Sequence, residues 1–127
     1  MQFAETDLAG MVHFSNFFRY MEEAEHGLWR AAGLSIDSVK SELKWPRVSA
    51  AFDFKRPLRF EDEFEVHVGM VAVTARSIQY NHTIMRGDVT VGVGTVTAAC
   101  VQLGADHRLT AVEIPAKILE RLRAVLT

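Results

Sequence analysis

A chain of 127 residues with 49% hydrophobic content and a formal net charge of −2 reads as one domain, 1–127, large enough to enclose a core. The composition excludes a disordered chain, no apolar run is long enough to span a membrane, and the charge gives no ground for expecting nucleic acid as a partner. No basic-then-apolar leader opens the sequence and the lone Cys100 cannot close an internal disulfide, so a cytoplasmic protein is expected.

A short first strand is expected near the N-terminus, starting almost at Met1. A loop follows in which Thr6 and Asp7 favour a turn and Gly10 permits backbone angles that other residues resist. From Asn16 the pattern becomes helical. Phe17, Met21, Ala24, Leu28 and Ala32 recur on one face, while Arg19, Glu22, Glu23, His26 and Arg30 gather on the other. Ser15 or Asn16 suits the cap of the first turn, and Gly33 is placed to end the last. The loop therefore delivers the Asp7 carboxylate beside the positive end of a helix, whose free N–H groups can hold an oxyanion. That pairing suits acyl transfer.

Residues 34–47 read as a connection with some helical character, carried by Ile36, Val39 and Leu43 and closing at Trp45–Pro46. Strand patterns then take over. Val48, Ala50, Phe52 and Phe54 alternate with polar neighbours. Phe64, Val66, Val68 and Met70 do the same, as do Ile78, Tyr80, His82 and Ile84. Arg86–Gly87–Asp88 reads as a turn, and residues 89–103 form one long β-type run with Gly92 and Gly94 inside it, a sign of bending or close backbone approach. A further strand is expected within residues 108–114. Pro115 then opens a short helix with Ile118, Leu119, Leu122 and Val125 on one side. The order predicts an α+β fold: one long central helix wrapped by a curved antiparallel sheet of four or five strands, with a short C-terminal helix.

The run Asp7-Leu8-Ala9-Gly10-Met11-Val12-His13-Phe14-Ser15-Asn16, the VSAAFDFKRPLRFEDEFEV strand pair, the Arg76–Ser77 strand start and the C-terminal RLTAVEIPAKILERL are similar to the hotdog-fold acyl-CoA thioesterases. The resemblance is to the 4-hydroxybenzoyl-CoA thioesterase family and its short-chain acyl-CoA relatives. It implies that Asp7 is the catalytic carboxylate and that the Phe14 backbone N–H polarises the thioester carbonyl. It places His13 where some short-chain members also carry histidine, in a positioning or proton-transfer role. Gly10 and Asn16 fall in the substrate-binding motif, and Arg76 lies where family members contact the CoA nucleotide. The family also implies a homodimer or homotetramer with active sites at subunit interfaces, an acyl-CoA as small-molecule substrate, and no retained cofactor.

Blander readings stand beside these. Asn16 suits a helix cap as well as a substrate contact. Glu22, Glu23 and Glu25 read as a solvated helix face, although a related hotdog lineage takes its carboxylate from this helix, there with a His-Gly-Gly run that is absent here. On that reading Glu25→Gln is a control expected to change little. Glu22 and His26 stand one turn apart without further ligands, so no metal is expected. Cys100 reads as core packing, and His67, His82 and His107 as isolated residues. Two rival functions are a hotdog hydratase acting on enoyl-CoA and a non-catalytic acyl-binding protein. The resemblance to hydratases fails at the Asp–His spacing, which is five residues here instead of four, and the presence of Asp7 argues against a non-catalytic role.

Overall fold

A computed structural model describes residues 15–34, 43–59 and 61–126. The elements in chain order are α1 (Ser15–Ala31), β1 (Leu43–Lys44), β2 (Arg47–Phe54), β3 (Glu65–Val73), β4 (Ser77–Arg86), β5 (Val89–Ala99), β6 (Val101–Leu103), β7 (Leu109–Ala111) and α2 (Ala116–Leu126). The fold is α+β. The strands form two antiparallel sheets, one ordered β2-β5-β4-β3 and a smaller one ordered β1-β6-β7.

Helix α1 forms where the helical periodicity places it. It ends where expected: Gly33 takes φ 75°, and the Leu34 and Gly33 N–H groups donate to the carbonyls of Trp29 and Arg30. This pattern uses a left-handed residue to satisfy the last carbonyls of the helix. Two expectations from the sequence need correction. The helical character read through Leu43 gives way to strand β1, which pairs with β6. The long run 89–103 is two strands, because the chain breaks at Cys100 and passes from the larger sheet to the smaller one. Cys100 itself is buried core, and burial raises its thiol pKa.

The alternation in β4 turns Ile78, Tyr80, His82 and Ile84 inward toward α1, all fully buried. Two apolar clusters result. One joins Leu28 and Trp29 of α1 to Trp45, Ile78, Tyr80, Cys100 and Leu122. The other joins Phe17 and Tyr20 to Leu58, Ile84 and Val91, with Phe52 and Phe64 packed against it. Each end of α1 therefore sits on its own cluster. Gly92 and Gly94 do lie at a close approach. A Cβ at Gly92 would collide with the Phe52 ring and stand 2.7 Å from the Asp53 carbonyl oxygen, and one at Gly94 would meet both Phe52 and Met21. By contrast, among the described residues β2 is an edge strand with one neighbour, and most of its side chains are exposed.

Candidate active site

Asp7, Gly10, His13 and Phe14 lie outside the described residues. The helix that follows them in sequence is described. Asn16 lies half-buried in the first turn of α1. Around that turn stands a group of rings: Phe17 packs on Phe52 at 4.9 Å and edge-on to Phe54 at 5.3 Å, and Phe18 meets Phe52 at 6.5 Å. An end-on helix with an aromatic wall beside it can hold an acyl group while backbone N–H groups face its carbonyl oxygen.

Arg76 lies elsewhere. It is exposed in the turn between β3 and β4, where its backbone amide donates to Thr74 Oγ1 and its carbonyl accepts from the Cys100 N–H. Its neighbour Ile78 belongs to the cluster at the C-terminal end of α1, whereas Ile84 packs with Phe17 at the N-terminal end. At about 3.3 Å per residue, Arg76 stands roughly 25 Å along the strand from the helix start. Within one chain the fold does not bring Arg76 and Asn16 together.

The structure also reveals a polar cluster that the sequence reading missed. Glu25 is not on a solvated face: it is fully buried. Its Oε1 accepts a 2.8 Å hydrogen bond from Arg47 Nη2, and Arg47 Nη1 donates to the Trp45 carbonyl. His82 Nε2 lies 3.2 Å from Glu25 Oε2 with both side chains enclosed, so His82 is not isolated either. That approach falls outside hydrogen-bond geometry; Glu25 Oε2 and both His82 ring nitrogens have no hydrogen-bond partner among the described residues. The cluster sits between the two apolar clusters, since Glu25 lies between Tyr20 and Leu28 on α1 and His82 between Tyr80 and Ile84 on β4. A signal for it existed in the sequence. Glu25 is four residues from both Met21 and Trp29, on the inward stripe, and His82 occupies an inward position of its strand.

Nearby, the Trp29 indole N–H donates to the Tyr80 hydroxyl at 2.9 Å. Burial pushes the Tyr80 phenol up to about 12; the Trp29 hydrogen bond works against the rise, the Glu25 charge adds to it, and the Arg47 charge opposes it. The other helix carboxylates behave as expected. Glu22 and Glu23 are exposed, with Glu22 4.0 Å from His26. Among the described residues no group of three or more His, Cys, Asp or Glu is placed to hold a metal ion, and no helix is long and apolar enough to cross a membrane.

A profile of the thioesterase-like superfamily matches residues 1–122. The chain belongs to that hotdog-fold superfamily. Among its relatives, a protein of Aquifex aeolicus, provisionally named an esterase, is 31% identical over 124 residues, covering 97% of this chain and 93% of the relative. The 1,4-dihydroxy-2-naphthoyl-CoA hydrolase of Thermosynechococcus vestitus is 27% identical over 112 residues, 86% of this chain and 77% of that one. The fold matches the crystal structure of a 1,4-dihydroxy-2-naphthoyl-CoA thioesterase from Synechocystis with a TM-score of 0.85, at 20% identity, over 98% of this chain and 91% of the other. The family implied by the motif in residues 7–16 and the matches along the chain is thus the family found.

Proposed function

We propose that this member of the superfamily hydrolyses an acyl-CoA thioester to the free acid and CoA. The observation that carries the reading is the family match, which spans both the Asp7 motif and the helix that follows it. Relatives named as CoA-thioester hydrolases support the substrate class. In this reading α1 is the central helix of the hotdog and the Phe14 N–H at its start stabilises the negative charge that develops on the carbonyl oxygen. Asp7 either attacks the carbonyl carbon, forming a mixed anhydride as the CoA thiolate leaves, or deprotonates the water that attacks. His13 positions the ester or moves the proton, Gly10 belongs to the loop that receives it, and Asn16, in the first turn of α1, contacts it.

The choice of Asp7 over a helix carboxylate is supported by Glu25, whose buried carboxylate is already paired with Arg47. The roughly 25 Å between the helix start and Arg76 supports a site shared by two copies of the chain, with Arg76 of one serving the nucleotide of an ester bound at the helix start of the other. No cofactor or metal enters the chemistry proposed for these residues.

The test is a panel of acyl-CoA esters assayed for free-thiol release, together with crotonyl-CoA. Thiol release is expected. Accumulation of 3-hydroxybutyryl-CoA, with no thiol from any ester, would replace this reading with the hydratase.

A further inference from the structure

The two sides of the molecule differ in chemistry. The inner face of the larger sheet packs on α1, and the far side of that helix carries Arg19, Glu22, Glu23 and Arg30, all exposed. The outer face of the sheet is uncharged at its centre. Strand register lays Ala51, Thr95, Asn81 and Gly69 side by side in one row across the four strands. The next row, through Thr97 and Gln79, carries no charge either. These side chains are short. A Cβ at Gly69 would stand 2.7 Å from Asn81 Oδ1, so the Asn81 amide lies down over bare backbone and the middle of the face stays low. Charge returns at the two rims. On the β2 side stand Asp53 and, continuing the alternation, the exposed Lys55. On the β3 side, His67 shares the row of Asp53, and Glu65 lies 3.0 Å from it.

A low, uncharged centre ringed by charge is the anatomy of a protein–protein interface. Two such faces can stack at the usual sheet spacing of about 10 Å, since no tall side chain holds them apart. At about 4.8 Å per strand and 3.3 Å per residue, the face offers roughly 500 Å² per copy, or about 1,000 Å² for two, where specific interfaces begin. The rims indicate the partner. A two-fold axis running along the strands, between two facing sheets, lays β2 of one copy over β3 of the other at the same height. Asp53 then meets His67 of the second copy, and Lys55 meets its Glu65. An axis across the strands would set β2 over β2 and lose both pairings. From the flat centre and the complementary rims, we propose that this face docks a second copy of the same chain, sheet against sheet, about an axis along the strands. The contact is separate from the β2 edge, and it does not rest on the thioesterase reading.

Sedimentation equilibrium of the full chain tests this. Thr95→Arg plants a long charged side chain at the centre of the face and is expected to halve the wild-type mass, with the far-UV circular dichroism unchanged. Lys55→Glu reverses a rim charge and should raise the dissociation constant about tenfold, because the two-fold repeats the loss. Adding Glu65→Lys to Lys55→Glu rebuilds the pair with its signs exchanged and should bring the constant back to within about threefold. Glu22→Arg, on the helix face, is the control and should keep the wild-type mass. A monomeric wild type overturns the inference, as does a folded Thr95→Arg that keeps the wild-type mass. A halved mass in Glu22→Arg alone moves the contact to the helix face and overturns it too. If Thr95→Arg fails to fold, the rim variants decide. No effect of Lys55→Glu, or no recovery in the double variant, overturns the arrangement about the strand axis. Thiol release from the ester panel is scored separately, so failure of the thioesterase reading leaves this interface standing, and the reverse holds.

Discussion

Glu25, in the middle of α1, is tied to Arg47 at the start of β2 by a 2.8 Å contact in which the carboxylate is 1% exposed and the guanidinium 28%. With His82 approaching from β4, this one side chain links the helix to both an edge strand and a central strand. Removing its charge leaves Arg47 and His82 facing a neutral amide. Glu25→Gln is therefore expected to destabilise the fold by about 1–3 kcal/mol, below the range for fully buried pairs because Arg47 remains partly solvated. Urea unfolding of the two proteins checks this, and an unchanged midpoint would show the pair to be energetically idle.

Asp7→Asn is expected to lower kcat by roughly 10²–10⁴-fold while the protein still folds and binds substrate, as follows for loss of a base or nucleophile. Glu22→Gln and Glu23→Gln are the appropriate controls, being exposed on the helix; Glu25→Gln is not, since its stability changes too. An Asp7→Asn enzyme within about threefold of wild-type kcat would move catalysis to another carboxylate.

Tyr80 gives a pH signature. Its folded pKa of about 12 lies above the ordinary 10.0, so the folded protein keeps a proton that the unfolded chain releases. Its contribution is complete below pH 10 and declines as pH rises toward 12, amounting to about 2–3 kcal/mol in all. Stability measured from pH 8 to pH 11 should fall more steeply in the wild type than in Tyr80→Phe. At pH 7 the same variant leaves the Trp29 N–H buried without its acceptor and should lose about 1–3 kcal/mol.

Gly92→Ala should destabilise by about 1–3 kcal/mol, since the added carbon meets both an aromatic ring and a backbone carbonyl, and the carbonyl cannot rotate away. Gly87→Ala is the contrast. It has open space around it and suffers only from its φ of 59°. Thermal melts of the two variants separate crowding from backbone strain.

Light scattering should give a mass of at least twice the 14.2 kDa chain. Among the described residues strand β2 is an edge carrying Val48 at 62% and Phe54 at 53% exposure, and such edges tend to be paired or covered. A monomer that kept full activity at nanomolar concentration would rule out a site shared between copies.

Much of this fold was legible from local pattern. The 3.6-residue period drew α1, the two-residue alternation drew β2, β3 and β4, and Gly33 marked the helix end, because each depends on neighbours in sequence. The Asp7 motif, with the strand-pair, Arg76–Ser77 and C-terminal matches, also named the family. Other features depended on which distant segments meet. Cys100 as a sheet-to-sheet break, the seating of Phe52 against Gly92 and Gly94, and the separation of Arg76 from the helix start all follow from strand pairing. Glu25 shows the difference most clearly. In sequence it reads with Glu22 and Glu23 as a solvated face, although its spacing from Met21 and Trp29 points inward, because burying a carboxylate is unfavourable unless a partner is at hand. Its partners, Arg47 and His82, are 22 and 57 residues away, so only the tertiary structure could decide that the charge goes inside.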